Sequence, residues 1–150
     1  IILVSAKGQS IRFKESDVRE MGRSAGGVRV MKLPKGDNII GAHVVSKGSE
    51  KPMLLVVSQN GYGKKTDIEE YKIQKRGGSG IKTASVTPKT GQLMAAGVVT
   101  PLEEEIVAMS KKGQVIRTSI EEIPELGRQT QGVRVMKLRE GDSLASLICL

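Results

Sequence analysis

The sequence predicts an all-β protein, a propeller-like array of about three four-stranded blades. Short apolar runs separated by glycine and proline turns recur at a near-constant period, and no segment is long enough for a stable helix. The turn glycines Gly8, Gly61 and Gly113 set that period at 53 and then 52 residues. A period of about 50 with four strands per copy is the signature of blades, each a small sheet that needs neighbours to cover its faces. The copies run over residues 1–50, 51–102 and 103–150 and are read as parts of one domain.

In the first copy, IILVS and QSIRF flank a Lys7-Gly8 turn and form a hairpin. The polar KESDVREMG follows, with room for one helical turn, as have KTDIEEYKI and SIEEIPELG in the later copies. VRVMKL at 28–33 is the third strand, PKGD a turn and NIIGAHVV the fourth strand. Val28, Arg29 and Val30 alternate as an antiparallel strand should, whereas Met31-Lys32-Leu33 blurs the period, through either a bulge or burial on both faces. LLVVSQNGYGKKT (54–66) and IVAMSKKGQVIRT (106–118) repeat the hairpin. Arg23, Arg76 and Arg128 share one position, Gly27, Gly80 and Gly132 another, and VRVMKL returns unchanged at 133–138. The middle copy carries its excess residues around Thr87-Pro88-Lys89-Thr90.

The formal net charge is +8 and the isoelectric point near 9.7, a balance that suits an anionic partner. By copy the net charge is +4, +5 and −1, so the basic face is assigned to the first two. The acidic excess of the third, Glu103–Glu105 and Glu121-Glu122, reads as solvated loops. Only Phe13, Tyr62 and Tyr71 are aromatic, which argues against single-strand binding on stacking platforms and for backbone binding to a duplex. Cys149 is the lone cysteine, so there is neither a disulfide framework nor a thiolate metal site, as fits a reducing cytoplasm. His43, the lone histidine, sits in an apolar run and reads as a half-buried strand residue. No run of about 20 apolar residues points to a membrane span. The chain opens without Met in mid-strand, as a piece of something longer would.

The densest glycines lie at 74–80, QKRGGSG. Gly77, Gly78 and Gly80 can adopt positive φ and turn main-chain N–H groups outward into an anion cradle, where Lys75 and Arg76 would meet the same phosphate. The alternative is a tight turn whose glycines serve geometry alone.

NGYGKKT (60–66), QKRGGSGIKT (74–83) and the GR-x-x-x-GVRVMKL copies at 22–33 and 127–138 together resemble the C-terminal domain of the DNA gyrase A-subunit. The resemblance covers essentially the whole chain. It implies a β-pinwheel in which neighbouring blades exchange strands, with a basic outer rim around which duplex DNA is bent. The family's box reads Q-R/K-R-G-G-K/R-G; Gln74, Lys75, Arg76, Gly77, Gly78 and Gly80 match it, and Ser79 stands where the family has a basic residue. The box is usually assigned to the first blade of a six-bladed ring, whereas here it lies in the middle of three copies.

On this reading the domain is cytoplasmic and nucleoid-associated. It wraps double-stranded DNA in support of ATP-dependent negative supercoiling by the whole enzyme, whose B-subunit is a partner along with the remainder of the A-subunit. No cofactor belongs to this chain; ATP and Mg belong elsewhere in the holoenzyme. The expected phosphate contacts are the 74–80 loop with Lys64, Lys65 and Lys82, and Arg12, Arg23, Arg29 and Lys32 in the first copy. Catalytic residues are not expected: there is no Ser-His-Asp set, no metal cluster, and GYGKKT lacks the spacer of a phosphate-binding loop. Tyr62 reads as a turn residue and Tyr71 as packing. The competing readings are a propeller-type protein-interaction module and the equivalent domain of the topoisomerase IV A-subunit.

Overall fold

The computed structural model describes residues 1–150, and they form three antiparallel sheets. The strands are β1 (Ile2–Ser5), β2 (Gln9–Arg12), β3 (Ile39–His43), β4 (Met53–Ser58), β5 (Tyr62–Asp67), β6 (Ile81–Lys82), β7 (Leu93–Val99), β8 (Glu105–Ser110), β9 (Val115–Ser119), β10 (Val133–Arg134) and β11 (Leu144–Cys149). Single 3-10 turns at Glu15–Asp17, Ile68–Glu70 and Ile120–Glu122 occupy the three polar segments expected to hold a helical turn. No helix is long and apolar enough to cross a membrane.

Each hairpin is closed in the same way. Gly8, Gly61 and Gly113 lie at φ +83°, +81° and +81°, and their N–H groups donate to the carbonyls of Ser5, Ser58 and Ser110. The hydroxyls of those serines accept from the backbone N–H of Gln9, Tyr62 and Gln114 at 3.0–3.1 Å. A serine three residues before a glycine therefore satisfies the turn's donors and sets the hairpin register.

The strand orders are β3-β1-β2-β6, β10-β5-β4-β7 and β11-β8-β9. The first two sheets are each completed by a strand from the following copy: β6 joins β2 and β10 joins β5. Strand exchange is thus present: the second and third copies each hold four strands, and the correction is that one of the four lies in the preceding copy's sheet. The correction extends to VRVMKL. In the third copy only Val133–Arg134 is strand; the chain then bends and buries Met136. In the first copy residues 28–33 run without strand pairing, while Met31 is buried and Lys32 exposed. The blurred period records a chain leaving the sheet, and neither a bulge nor a strand buried on both faces.

The seams carry repeated backbone bonds. Gln74 N donates to Arg12 O at 2.7 Å and Leu126 N to Lys65 O at 2.8 Å; Thr83 N reaches Gly8 O and Val135 N reaches Gly61 O, both at 2.8 Å. Between sheets lie two apolar layers. Leu54 and Val56 face Ile2 and Val4 on one side of β4, while Leu55 and Val57 face Ile106 and Ala108 on the other. This double burial explains the unbroken LLVV run, each side chain contributing about 1.5–3 kcal/mol. Tyr71 is buried with its hydroxyl 2.7 Å from Thr83 Oγ1, so it is indeed a packing residue. Tyr62 is no turn residue but the buried first residue of β5.

β3 packs against β7 and β7 against β11, which brings these edges of the sheets together. β6 and β10 lie at the opposite edges, so the exchanged strands face outward.

At the exchange points a side chain has no room. Gly80, at φ +75°, would place a Cβ 2.3 Å from Ser10 O, and Gly132, at φ +83°, one 2.6 Å from Gly63 O. Gly80→Ala should therefore lower the unfolding free energy by at least about 2 kcal/mol, since an L side chain in this region is strained even where space allows. Gly26→Ala, where nothing lies within 4 Å, should stay within about 0.5 kcal/mol of the parent. Equal denaturation midpoints for the two variants would contradict the close-approach account.

Candidate nucleic-acid interface

The cations named from the sequence divide into two classes once their heads are traced. Lys64 is 1% exposed, and its ammonium donates to Gly127 O (2.6 Å), Arg128 O (2.7 Å) and Thr130 Oγ1 (3.1 Å). It is not a rim contact but a clamp on the loop of the following copy. Its counterparts in the other hairpins are Ile11 and Ile116, so an apolar position in two copies was the available signal.

Arg12 and Lys65 share an equivalent position and also point into the next copy. Arg12 Nη1 donates to Ile68 O at 3.0 Å and Tyr71 O at 3.1 Å, and pairs with Glu69 at 3.4 Å; Lys65 Nζ donates to Ile120 O at 2.7 Å. Each reaches the 3-10 turn of its neighbour. Arg76 behaves likewise, with Nε on Asp17 O at 2.7 Å and Nη1 on Arg29 O at 3.1 Å. Arg128, one copy later, sends Nη1 to Lys82 O at 2.9 Å. These four expected contacts, Arg12, Lys64, Lys65 and Arg76, thus have their donors engaged within the fold.

The glycines of the 74–80 loop serve geometry. Gly77 and Gly80 have positive φ, but Gly77 N donates inward to Val30 O at 2.7 Å and Gly78 O accepts from Lys32 N at 2.8 Å. Gly78 is not at positive φ, so the outward anion cradle is replaced by a turn laid on residues 30–32. Gln74 is half-buried beside it, and Ser79 is exposed.

Lys75, Lys82, Arg23, Arg29 and Lys32 form the second class. All are exposed, and none joins an ion pair; the three in the structure are Arg12–Glu69, Arg117–Glu105 and Arg128–Glu70. Arg29, Lys82 and Arg134 occupy one equivalent position in successive copies, Lys82 on β6 and Arg134 on β10. The backbone carbonyls of Arg29 and Lys82 are the ones held by Arg76 and Arg128. An inward arginine fixes the main chain of an outward cation, once at each seam. Arg134 escapes a charge count made by sequence copy, because exchange places it in the second sheet. The basic surface therefore reaches into the third copy.

A family model described as "DNA gyrase C-terminal domain, beta-propeller" matches residues 1–46, 52–100 and 104–150. The chain belongs to the DNA gyrase C-terminal domain family. Similar proteins include the DNA gyrase A-subunit of Staphylococcus epidermidis, 40% identical over 147 residues, which are 98% of this chain and 16% of that protein. Among solved structures, the DNA gyrase A C-terminal domain superposes with a TM-score of 0.84 at 32% identity, covering 99% of this chain and 49% of that one. The C-terminal domain of DNA topoisomerase IV gives 0.90 at 23% identity, over 99% of this chain and 46% of its own, and shows the same fold. As a gyrase C-terminal domain this chain has the pinwheel architecture, and it spans about a sixth of its curated relative's length.

Burial lowers the Lys64 pKa to about 8, because the ammonium loses water that the three oxygens replace only in part. Between about pH 8 and the ordinary lysine value the unfolded chain holds the proton and the folded chain does not. Stability contributed at this site therefore rises with pH across that window and is flat on either side. Relative to Lys64→Met, which cannot titrate, the parent's unfolding free energy should climb between about pH 8 and 10.5, by on the order of 1 kcal/mol for each pH unit crossed. Parallel pH profiles of the two proteins would refute this.

Proposed function

We propose that this domain binds duplex DNA along its outer edges and bends it. The observation that carries the reading is the row of exposed, unpaired cations at equivalent positions, Arg29, Lys82 and Arg134, joined by Lys75, Arg23 and Lys32. Cations without carboxylate partners release condensed counterions when they meet phosphates, which gives affinity with little sequence preference. Bending a few tens of base pairs costs on the order of 1–6 kcal/mol, so a wrapping surface must offer contacts spread along a curve. Successive outer edges supply that spread.

The relatives named as gyrase A-subunits support the gyrase reading, in which the wrapped duplex serves supercoiling by the holoenzyme, its B-subunit included, together with the rest of the A-subunit. Catalysis, ATP and Mg belong on this reading to those other parts.

The test is equilibrium binding of duplexes of about 20 and 150 base pairs between 50 and 200 mM salt. With roughly six phosphates met, affinity for the longer duplex should fall about 10³-fold over that range. Lys75→Ala/Lys82→Ala should reduce the salt slope by about two without lowering the melting temperature, because both side chains are exposed and unpaired. Arg76 is left intact, since its loss would open the seam at Arg29. Binding that ignores salt and duplex length, or no binding at 50 mM, would sink the proposal.

A further inference from the structure

At the seam between the second and third copies a cleft of about 340 Å³ opens beside Tyr62. Lys89, Arg134, Lys137 and Arg139 line it, all exposed. The Tyr62 ring is buried and holds two of them. Lys89 Nζ lies 5.4 Å and the Arg134 guanidinium 5.5 Å from the ring centroid, and Arg134 Nη2 donates to the Tyr62 hydroxyl at 3.0 Å. Asn60 Nδ2 fixes the backbone of Lys89 by donating to its carbonyl at 3.0 Å.

The charge of this cleft is not balanced from within. Its one carboxylate, Asp142, accepts from Ser110 Oγ at 2.5 Å and from the N–H groups of Ser143 and Lys112 at 2.8 and 3.1 Å. None of the four cations forms an ion pair. Like charges gathered over an aromatic ring repel one another and are tolerated where an anion completes them. Two features favour a polymeric anion over a small one. The cleft is open, and Arg134 is the third member of the row begun by Arg29 and Lys82.

We infer that the Tyr62 cleft is a phosphate-binding station for duplex DNA, formed by Lys89 of the second copy and Arg134, Lys137 and Arg139 of the third. Tyr62 acts as a positioning residue, its ring and hydroxyl holding Lys89 and Arg134 at the mouth. This rests on the reading of the outer edges as a DNA-binding surface and carries the path across the seam into the copy whose sequence is net acidic.

Two measurements test it. In the salt series with the duplex of about 150 base pairs, Lys137→Gln/Arg139→Gln should lower the slope by about two and weaken binding at least tenfold near 100 mM, with an unchanged melting temperature. In lysine acetylation footprinting of the parent, that duplex should protect Lys89 and Lys137 several-fold. Lys51, whose cleft is shared with Glu103, Glu104 and Glu121, should stay reactive. Inorganic phosphate at matched ionic strength should protect neither Lys89 nor Lys137. If the parent binds duplex but the double variant matches it in slope and affinity, the station is overturned while the proposed function stands. Protection by inorganic phosphate, with duplex affinity unaltered in the variant, would make this a small-anion site and equally overturn it. A parent that binds no duplex would remove both readings together.

Discussion

The structure depends on the close approach of one copy's backbone to the hairpin of the copy before it. Gly80 against Ser10 and Gly132 against Gly63 leave no space for a side chain, and the flanking residues close the gap with backbone bonds to Gly8, Arg12, Gly61 and Lys65. β6 and β10 are two residues long, too short to persist as isolated strands. They persist because the glycine lets them in and an arginine from the same copy, Arg76 or Arg128, holds the carbonyl of an outward cation at the seam. Sheet completion and seam formation are therefore one event.

That event sorts the charges. A guanidinium can reach carbonyls in two directions from a fixed plane, whereas an ammonium offers charge without that geometry. The position that braces a seam is arginine in the second and third copies, Arg76 and Arg128, while the outward position reads Arg29, Lys82 and Arg134 and takes either residue. The distinction has an exception in Arg12 and Lys65, which alternate in type yet both turn inward, because a single carbonyl of the next 3-10 turn satisfies the lysine.

Much of this was legible in the sequence. The turn glycines at a period near 50 and the short apolar runs between them declare small stacked sheets, and the residue-level resemblance supplied strand exchange. What could not be read was direction. Lys64 and Lys65 are adjacent and alike in chemistry; Ile11 and Ile116 at the position of Lys64 hint at burial, but the sheet register is what puts one lysine under the neighbouring loop and the other on the neighbouring turn. The 74–80 loop reads as a cradle because glycine permits both an outward nest and a close inward contact. The facing backbone at residues 30–32, distant in sequence, decides between them. Arg134 was hidden for a related reason, since exchange moves a residue into a sheet that its own copy does not own.

Strand exchange also decides how this domain carries force. In a sheet folded from one contiguous segment, a pull on the outermost strand peels it away from its own hairpin. Here the outermost strand belongs to the next copy along, so tension applied at Lys82 or Arg134 runs through the covalent chain into the following sheet. The first two sheets are links, each closed through the copy that follows, so a load at their outer edge is shared between two sheets.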